Sequence, residues 1–236
     1  MSKRIPKVRF VDLGHIDYQK AWDYQTKIHE SIKKSKREDA EGTPVNTLIF
    51  CEHPPVYTLG KSGHLSHLRY SSRDLEAEGI SFYKINRGGD ITYHGPGQLV
   101  VYPIFDLEQF KRDVHWYVRQ LEEVIIQTLA LYGITGSRMD GYTGVWIQGN
   151  PNKKICAIGV HMSRWVSLHG LAFNVAPNLN HFQGIIPCGI DDPDKTVTSM
   201  QAELKQSIDW TVLKEQVKQQ FHTLFDFNYI NEESTI

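Results

Sequence analysis

The chain has 236 residues, of which 40% are hydrophobic and 22% charged. That composition supports a buried core of ordinary size and excludes the polar, highly charged profile of a disordered chain. With 26 Lys and Arg against 27 Asp and Glu the formal net charge is −1, so no global field draws the protein onto nucleic acid or an anionic membrane, and neither is expected as a partner.

The first ten residues, Met1 to Phe10, carry basic side chains but no apolar run behind them that could serve as a signal peptide. No stretch stays apolar for the ~18 residues needed to cross a bilayer. Three cysteines at wide spacing, Cys51, Cys156 and Cys188, in a chain too large to need stapling point to a reducing compartment, and the expected location is the cytoplasm.

Val8–Leu13 reads as a strand. From Asp17 a helix pattern follows, with apolar positions at Tyr18, Ala21, Trp22, Ile28 and Ile32. It runs into Lys33-Lys34-Ser35-Lys36-Arg37, either a docking patch for an acidic partner or a solvated helix end with cations at the favourable pole of the dipole. Glu38–Asn46 is polar and reads as a loop; Thr47–Cys51 and Val56–Leu59 read as strands parted by Pro54-Pro55. Ser81–Ile85 and Leu99–Phe105 are further strand-like runs, bracketing a glycine-rich loop over Arg87–Gln98. Asp113 is placed to cap a long helix with Val114, Tyr117, Val118, Leu121, Val124, Ile125, Leu129 and Tyr132 on one face, closed by Gly133. Thr143–Gln148, Lys154–His161 and Ser167–Val175 are strand-like, and a last helix over Asp209–Phe225 turns Leu213, Val217, Phe221, Leu224 and Phe225 inward. Strands and helices do not alternate regularly, so the expected architecture is α+β, a single domain over 1–236 with helices packed on a mixed sheet.

The Arg87–Gln98 segment is the first candidate for chemistry. It is not a dinucleotide fingerprint, because a strand-like run follows Gly97 where that motif needs a helix, and no P-loop occurs. Its glycines permit close approach of backbone to a ligand, with Arg87, Asp90, Thr92, Tyr93 and His94 as polar groups at the edge; a plain glycine-rich hairpin is the other reading. Cys188 sits on a Pro/Gly turn, placed to meet a substrate or merely packed, whereas Cys51 and Cys156 lie in strand-like runs and read as core. The short clusters Cys51-Glu52-His53 and His64-Leu65-Ser66-His67 match no zinc spacing, so no metal is expected. His161 and His169 read equally as neighbours of a site or as surface groups. Ile155, Ile158, Leu171, Phe173, Ile185 and Ile186 surround the candidate positions, and strand alternation assigns some to an apolar pocket and the rest to ordinary core.

Four segments in order, Arg87-Gly88-Gly89-Asp90-Ile91-Thr92-Tyr93-His94-Gly-Pro-Gly-Gln-Leu-Val-Val-Tyr-Pro103, Lys153-Lys154-Ile-Cys-Ala157-Ile158-Gly159, Leu168-His-Gly170-Leu171-Ala172-Phe-Asn174 and Pro187-Cys188-Gly-Ile190, resemble the octanoyltransferase family, also called lipoate–protein ligase B. The resemblance implies a fold shared with biotin and lipoate protein ligases. It also implies a reaction without cofactor: an octanoyl group passes from acyl carrier protein to a lysine of a lipoyl domain, in 2-oxoacid dehydrogenase complexes or the glycine cleavage H protein. By that resemblance Cys188 is the acyl-accepting nucleophile and Lys154 the lysine that activates it. Arg87, Gly88, Gly89, Asp90, Ile91, Thr92, Tyr93, His94, Ala157, Ile158, Gly159, Gly170, Leu171 and Ala172 are the expected substrate-binding positions. An ATP-dependent lipoate ligase of the same fold, which would need no cysteine at 188, and a binding module for lipoyl carriers without a nucleophile are the alternatives.

Overall fold

Asp17 starts the first helix as its sequence position predicts, its carboxylate accepting the Lys20 N–H at 3.2 Å. The structure, a computed structural model, describes residues 5–38, 45–187 and 192–230. Residues 39–44 of the expected loop and the Cys188-Gly189-Ile190 part of the last motif lie outside the described residues. The elements are β1 (Lys7–His15), α1 (Tyr18–Arg37), β2 (Asn46–Glu52), β3 (Val56–Leu59), α2 (Ser72–Ala77), β4 (Ser81–Lys84), β5 (Ile91–His94), β6 (Gln98–Ile104), α3 (Val114–Ala130), β7 (Ser137–Met139), β8 (Tyr142–Ile147), β9 (Asn152–Ser163), β10 (Val166–Asn174), β11 (Lys195–Val197), α4 (Met200–Leu204), α5 (Trp210–Phe225) and β12 (Asn228–Ile230). Among the described residues none of these helices is long and apolar enough to cross a membrane.

The larger sheet runs β12-β1-β2-β6-β10-β9-β8-β7, with β11 added alongside the start of β9. β1 pairs in parallel with both neighbours, β11 is parallel to β9, and the other ladders are antiparallel. This is the expected mixed α+β sheet. On one face α3 and α5 close the main core, in which Phe50, Val101, Leu171 and Phe173 meet Tyr117, Leu121, Phe221 and Phe225. On the other, α1 covers Ile49, Val100, Tyr102 and Ala172. Fully burying one such Phe or Leu contributes roughly 1.5–3 kcal/mol, so the two faces together hold the sheet from both sides. A second, smaller sheet, β4-β3-β5, has its own apolar cluster of Tyr57, Ile91, Tyr93, Phe182 and Ile185.

Three readings change. The glycine-rich segment is not all loop: Ile91–His94 forms β5, paired with β3 from Leu59↔Ile91 to Val56↔His94. The inward face of α1 carries Gln25 and His29 with Tyr18, Ala21 and Ile32, whereas Trp22 and Ile28 are only half-buried, because the sheet below offers polar backbone at the strained His169. The basic run at the end of α1 is divided: Lys33 pairs with Glu30 at 2.7 Å and Lys36 with Asp106 at 2.6 Å and Glu108 at 3.2 Å. Lys36 is thus a tie between α1 and the far end of β6, and not part of a solvated patch.

Candidate active site

Alternation along β5 divides its four residues between two jobs. Thr92 and His94 face a cavity of about 410 Å³, while Ile91 and Tyr93 face the core of the small sheet. The cavity lies between the small sheet, the start of α1 and the paired strands β9 and β10. Its floor is nearly all backbone, because the ladder places Ala157 opposite Ala172 and Gly159 opposite Gly170. Ile158 and Leu171 also border it, but by alternation their side chains belong to the helix-covered core with Phe173 and Ile155, and Ile185 packs in the small sheet. Of the apolar residues read from sequence as pocket wall or core, Ile158 and Leu171 border the cavity while Ile155, Phe173 and Ile185 are core, and small residues make much of the room.

Lys154 reaches this cavity by an irregularity. Val145 pairs with Cys156 but Trp146 pairs with Lys154, so Ile155 is an extra residue in β9. In a regular strand Lys154 would share the helix-covered face with Cys156 and Ile158; the bulge turns it to the opposite face, with Ala157 and Gly159. There it is buried, its Nζ 4.8 Å from the centre of the Trp146 ring, a favourable placement for an ammonium. Gly144, at φ +119, lies under it: a Cβ there would come within 2.4 Å of the Cys156 carbonyl oxygen and 3.3 Å of Lys154 Cε. The Gly144 N–H is held at 3.0 Å by Glu122, a fully buried carboxylate of α3 that Arg119 and Arg138 neutralise. The strand just before the bulge is tied down by the Thr198 N–H, which donates to the Lys154 carbonyl at 2.9 Å.

Arg87 lies buried across the strands. It donates to the Thr58 carbonyl at 2.5 Å and to Thr58 Oγ1 at 3.0 Å, and its Cδ covers Gly159, whose missing side chain is what admits it: a Cβ would sit 3.0 Å from that atom. The loop around it is lashed on both sides. Gly60, Lys61 and Ser62 donate their N–H groups to the Asp90, Arg87 and Gly89 carbonyls, and Gly88 donates to Val160 at 2.9 Å. The Gly60-Lys61-Ser62 tripeptide, passed over in the sequence, therefore spends its amides on this loop and is no phosphate cradle.

Behind the loop, a chain of side chains fixes its own orientation. Asn174 Nδ2 donates to the Thr198 carbonyl at 2.9 Å, so Asn174 Oδ1 faces Gln98; Gln98 Nε2 donates to that oxygen at 2.9 Å and to the Tyr93 carbonyl at 3.2 Å. Gln98 Oε1 is left turned to the His94 ring, and His94 Nδ1 is the donor that remains for it. Burial, with His53 and Arg87 nearby, pushes His94 well below the usual histidine range. His169 is pushed down to about 3, by burial first and Arg87 second, and His53 to about 4 by burial. His53 is held neutral between the Ile16 carbonyl and the Tyr102 hydroxyl, each at 2.8 Å. Of the two histidines left open by sequence, His169 lines the cavity and His161 stands outside it, half-buried.

Asp90, Ile91 and Tyr93 do not line the cavity, and their contacts lead elsewhere. Asp90 binds the His67 ring and the His64 N–H, the His67 carbonyl accepts the Ile186 N–H at 2.8 Å, and the Tyr93 hydroxyl lies 2.7 Å from His181 Nδ1. These ties, with Tyr57 donating to the His181 carbonyl at 2.5 Å, bring Pro187 to the cavity beside Lys154 and Val197. Sequence reasoning carries no signal for this arm, since it depends on contacts 88 residues apart. Cys51 and Cys156 are fully buried, and burial pushes both thiols up.

Residues 17–222 match the family model of the lipoyl protein ligase A/B catalytic domain. An octanoyltransferase of Cytophaga hutchinsonii is 52% identical over 233 residues, 95% of either chain. This chain belongs to the octanoyltransferase family. A second member, from Flavobacterium psychrophilum, is 51% identical over 94% of this chain and 98% of its own. Octanoyltransferases are acyltransferases, and the likeness to ligases is one of fold. A bipartite lipoate protein ligase of Thermoplasma acidophilum, described with its E2 lipoyl domain, superposes with a TM-score of 0.66 at 16% identity, over 96% of this chain and 88% of that one. Lipoate-protein ligase A bound with ATP gives 0.65 at 13%, over 97% and 90%.

Proposed function

We propose that this protein moves an octanoyl group from the thioester of acyl carrier protein to a lysine of a lipoyl domain, through an acyl thioester on Cys188. The observation that carries the reading is the cavity: Lys154, Arg87, His94, the Ala157–Gly159 and Gly170–Ala172 pair and Pro187, the residue before Cys188, border one space. The Cys188 thiolate attacks the donor carbonyl, the pantetheine sulfur leaves with a proton, and the acceptor lysine amine then displaces Cys188 from the acyl carbon. A free thiol titrates near 8.5, so an ammonium alongside favours the anion, and Lys154 supplies it. His94, held well below the usual histidine range, is a poor base for an ammonium ion, which favours as the acceptor's base Lys154, left neutral once its proton has gone to the departing pantetheine sulfur. Cys51 and Cys156, buried and with raised thiols, are unsuited to the role. Acyl transfer from thioester to amine is downhill, so the reaction needs no nucleotide.

The test is an intact-mass measurement on protein incubated with octanoyl carrier protein. A single octanoyl adduct mapped to Cys188, lost in Cys188→Ser and discharged by a lipoyl domain without ATP, is expected. Transfer only with ATP, or full activity of Cys188→Ser, assigns the chain to the ligase reading instead.

A further inference from the structure

The cavity is bounded at one end by the Arg87 loop. Along the β9–β10 ladder the pairs run Ala157 with Ala172, Ile158 with Leu171, Gly159 with Gly170 and Val160 with His169. At the Lys154 end the neighbours are Pro187, Val197 and Tyr142. At the Val160–His169 end the Arg87 loop crosses both strands and is bonded to each: Gly88 N–H donates to the Val160 carbonyl at 2.9 Å, and the His169 ring, its Nε2 2.7 Å from Asn86 Oδ1, donates to Asn86. His169 is offered to that bond by a left-handed backbone, φ +63 in mid-strand, which Gln25 of α1 holds through the His169 N–H at 3.1 Å. A non-glycine residue in that region is strained and marks a place where the surroundings dictate the conformation.

We propose that these two ties form the stop that sets acyl-chain length, and that Asn86, which does not itself line the cavity, is its positioning residue. The inference rests on the octanoyl reading above and names the residues that end its acyl site. Val160 lies six positions beyond Lys154, and with Ile155 bulged out of the ladder the span is about 17 Å of strand. Seven carbon–carbon bonds of ~1.5 Å make an eight-carbon chain no longer than about 10 Å. The Lys154 side chain lies at one end of that span and the Arg87 stem, packed on Gly159, at the other, and the stop requires the octanoyl chain to lie in the interval between them. A longer chain has to lift the Arg87 loop from the sheet, and the loop is held there by the Gly88 and Asn86 bonds. Removing the Asn86 bond leaves one of the two.

The experiment compares Asn86→Ala with wild-type protein in two readouts: transfer from carrier protein loaded with six, eight, ten or twelve carbons, and calorimetric binding of the corresponding free fatty acids. The expected result is a decanoyl-to-octanoyl ratio raised roughly fifteenfold in both, because decanoyl adds two methylenes and burying each is worth about fourfold. Asn86→Asp, which keeps an acceptor for the His169 ring, restores the wild-type ratio. His169→Gly, which suits the left-handed backbone, reproduces the Asn86→Ala profile and serves if that variant folds poorly. Superimposable fatty-acid binding profiles for wild type, Asn86→Ala and His169→Gly overturn the stop. A shifted binding profile in a protein that transfers no octanoyl group overturns the proposed function and leaves the stop standing.

Discussion

Replacing Gln98 with Met preserves shape and removes two hydrogen bonds and the polar oxygen turned to His94 at once. Its amide donates to Asn174 Oδ1 and the Tyr93 carbonyl, and its oxygen is the group available to His94 Nδ1, all in a region where Gln98 is 1% exposed. The variant leaves these three groups facing a thioether in a dry interior. An unsatisfied buried polar group costs about 1–3 kcal/mol, and Met recovers part of that through burial of its own apolar surface. The expected net loss is about 3 kcal/mol, a fall in melting temperature of roughly 6–12 °C for a chain of this size. Urea unfolding gives the free energy, and a cycle with Asn174→Ala gives the coupling, expected above ~1 kcal/mol because the residues share one network. Long-range nitrogen–proton NMR of labelled histidine adds a local readout: a neutral Nδ1–H ring at His94 in wild type, and a mixture of tautomers in Gln98→Met. A Gln98→Met protein within about 0.5 kcal/mol of wild type, the scatter of ordinary surface substitutions, would show that the side-chain orientations deduced from this chain of bonds are wrong.

Three further outcomes follow from the same structure. His53 and His169 have folded values of about 4 and about 3 against an ordinary 6.5; the unfolded chain therefore binds more protons below pH ~6.5, and stability is constant above that pH and falls below it by up to about 1.4 kcal/mol per pH unit for each ring. Denaturant curves between pH 7.5 and 5 check this, and a flat profile contradicts the burial of neutral rings. On the proposed mechanism Lys154→Ala should move the pH midpoint of Cys188 alkylation upward, because that mechanism sets the lysine cation against the thiolate, while Cys51 and Cys156 stay unmodified in native protein; peptide mapping after iodoacetamide treatment reads both. Tyr93→Phe removes the bond to His181 without disturbing the small-sheet core, so it should cost about 1 kcal/mol and lower kcat through the arm that ends at Pro187; loss in KM alone would assign Tyr93 to binding.

Much of the scaffold is legible in local sequence because its signals are local. Asp17, Asp113 and Asp209 each precede a helix and each caps it, since a carboxylate two or three residues before an orphan N–H has no competitor as close. The apolar faces of α3 and α5 and the runs of β2, β6 and β10 carry enough contiguous hydrophobic residues to identify themselves. The three-residue strands β7, β11 and β12 do not, because an edge strand is stabilised by the ladder it joins and not by its own composition. β5 is hidden for a related reason: its flanking glycines dominate the window, and pairing with β3 decides its conformation.

By itself the sequence determined the family motifs: Lys154, the glycine-rich segment, the small residues of β9 and β10, and the Pro187-Cys188-Gly189 run. Tertiary structure decided which way the described ones point. Side-chain direction in a strand flips with every residue and again at every bulge, so the extra Ile155, visible only in the pairing of Trp146 with Lys154, is what sends Lys154 into the cavity and away from the helices. The same dependence on pairing assigned Ile158 and Leu171 to the core, turned Tyr93 toward the arm that ends at Pro187, and brought Asn86 and His169, 83 residues apart, to one hydrogen bond beside the cavity. Register and long-range hydrogen bonds are properties of two segments at once, and neither segment's composition contains the other's position.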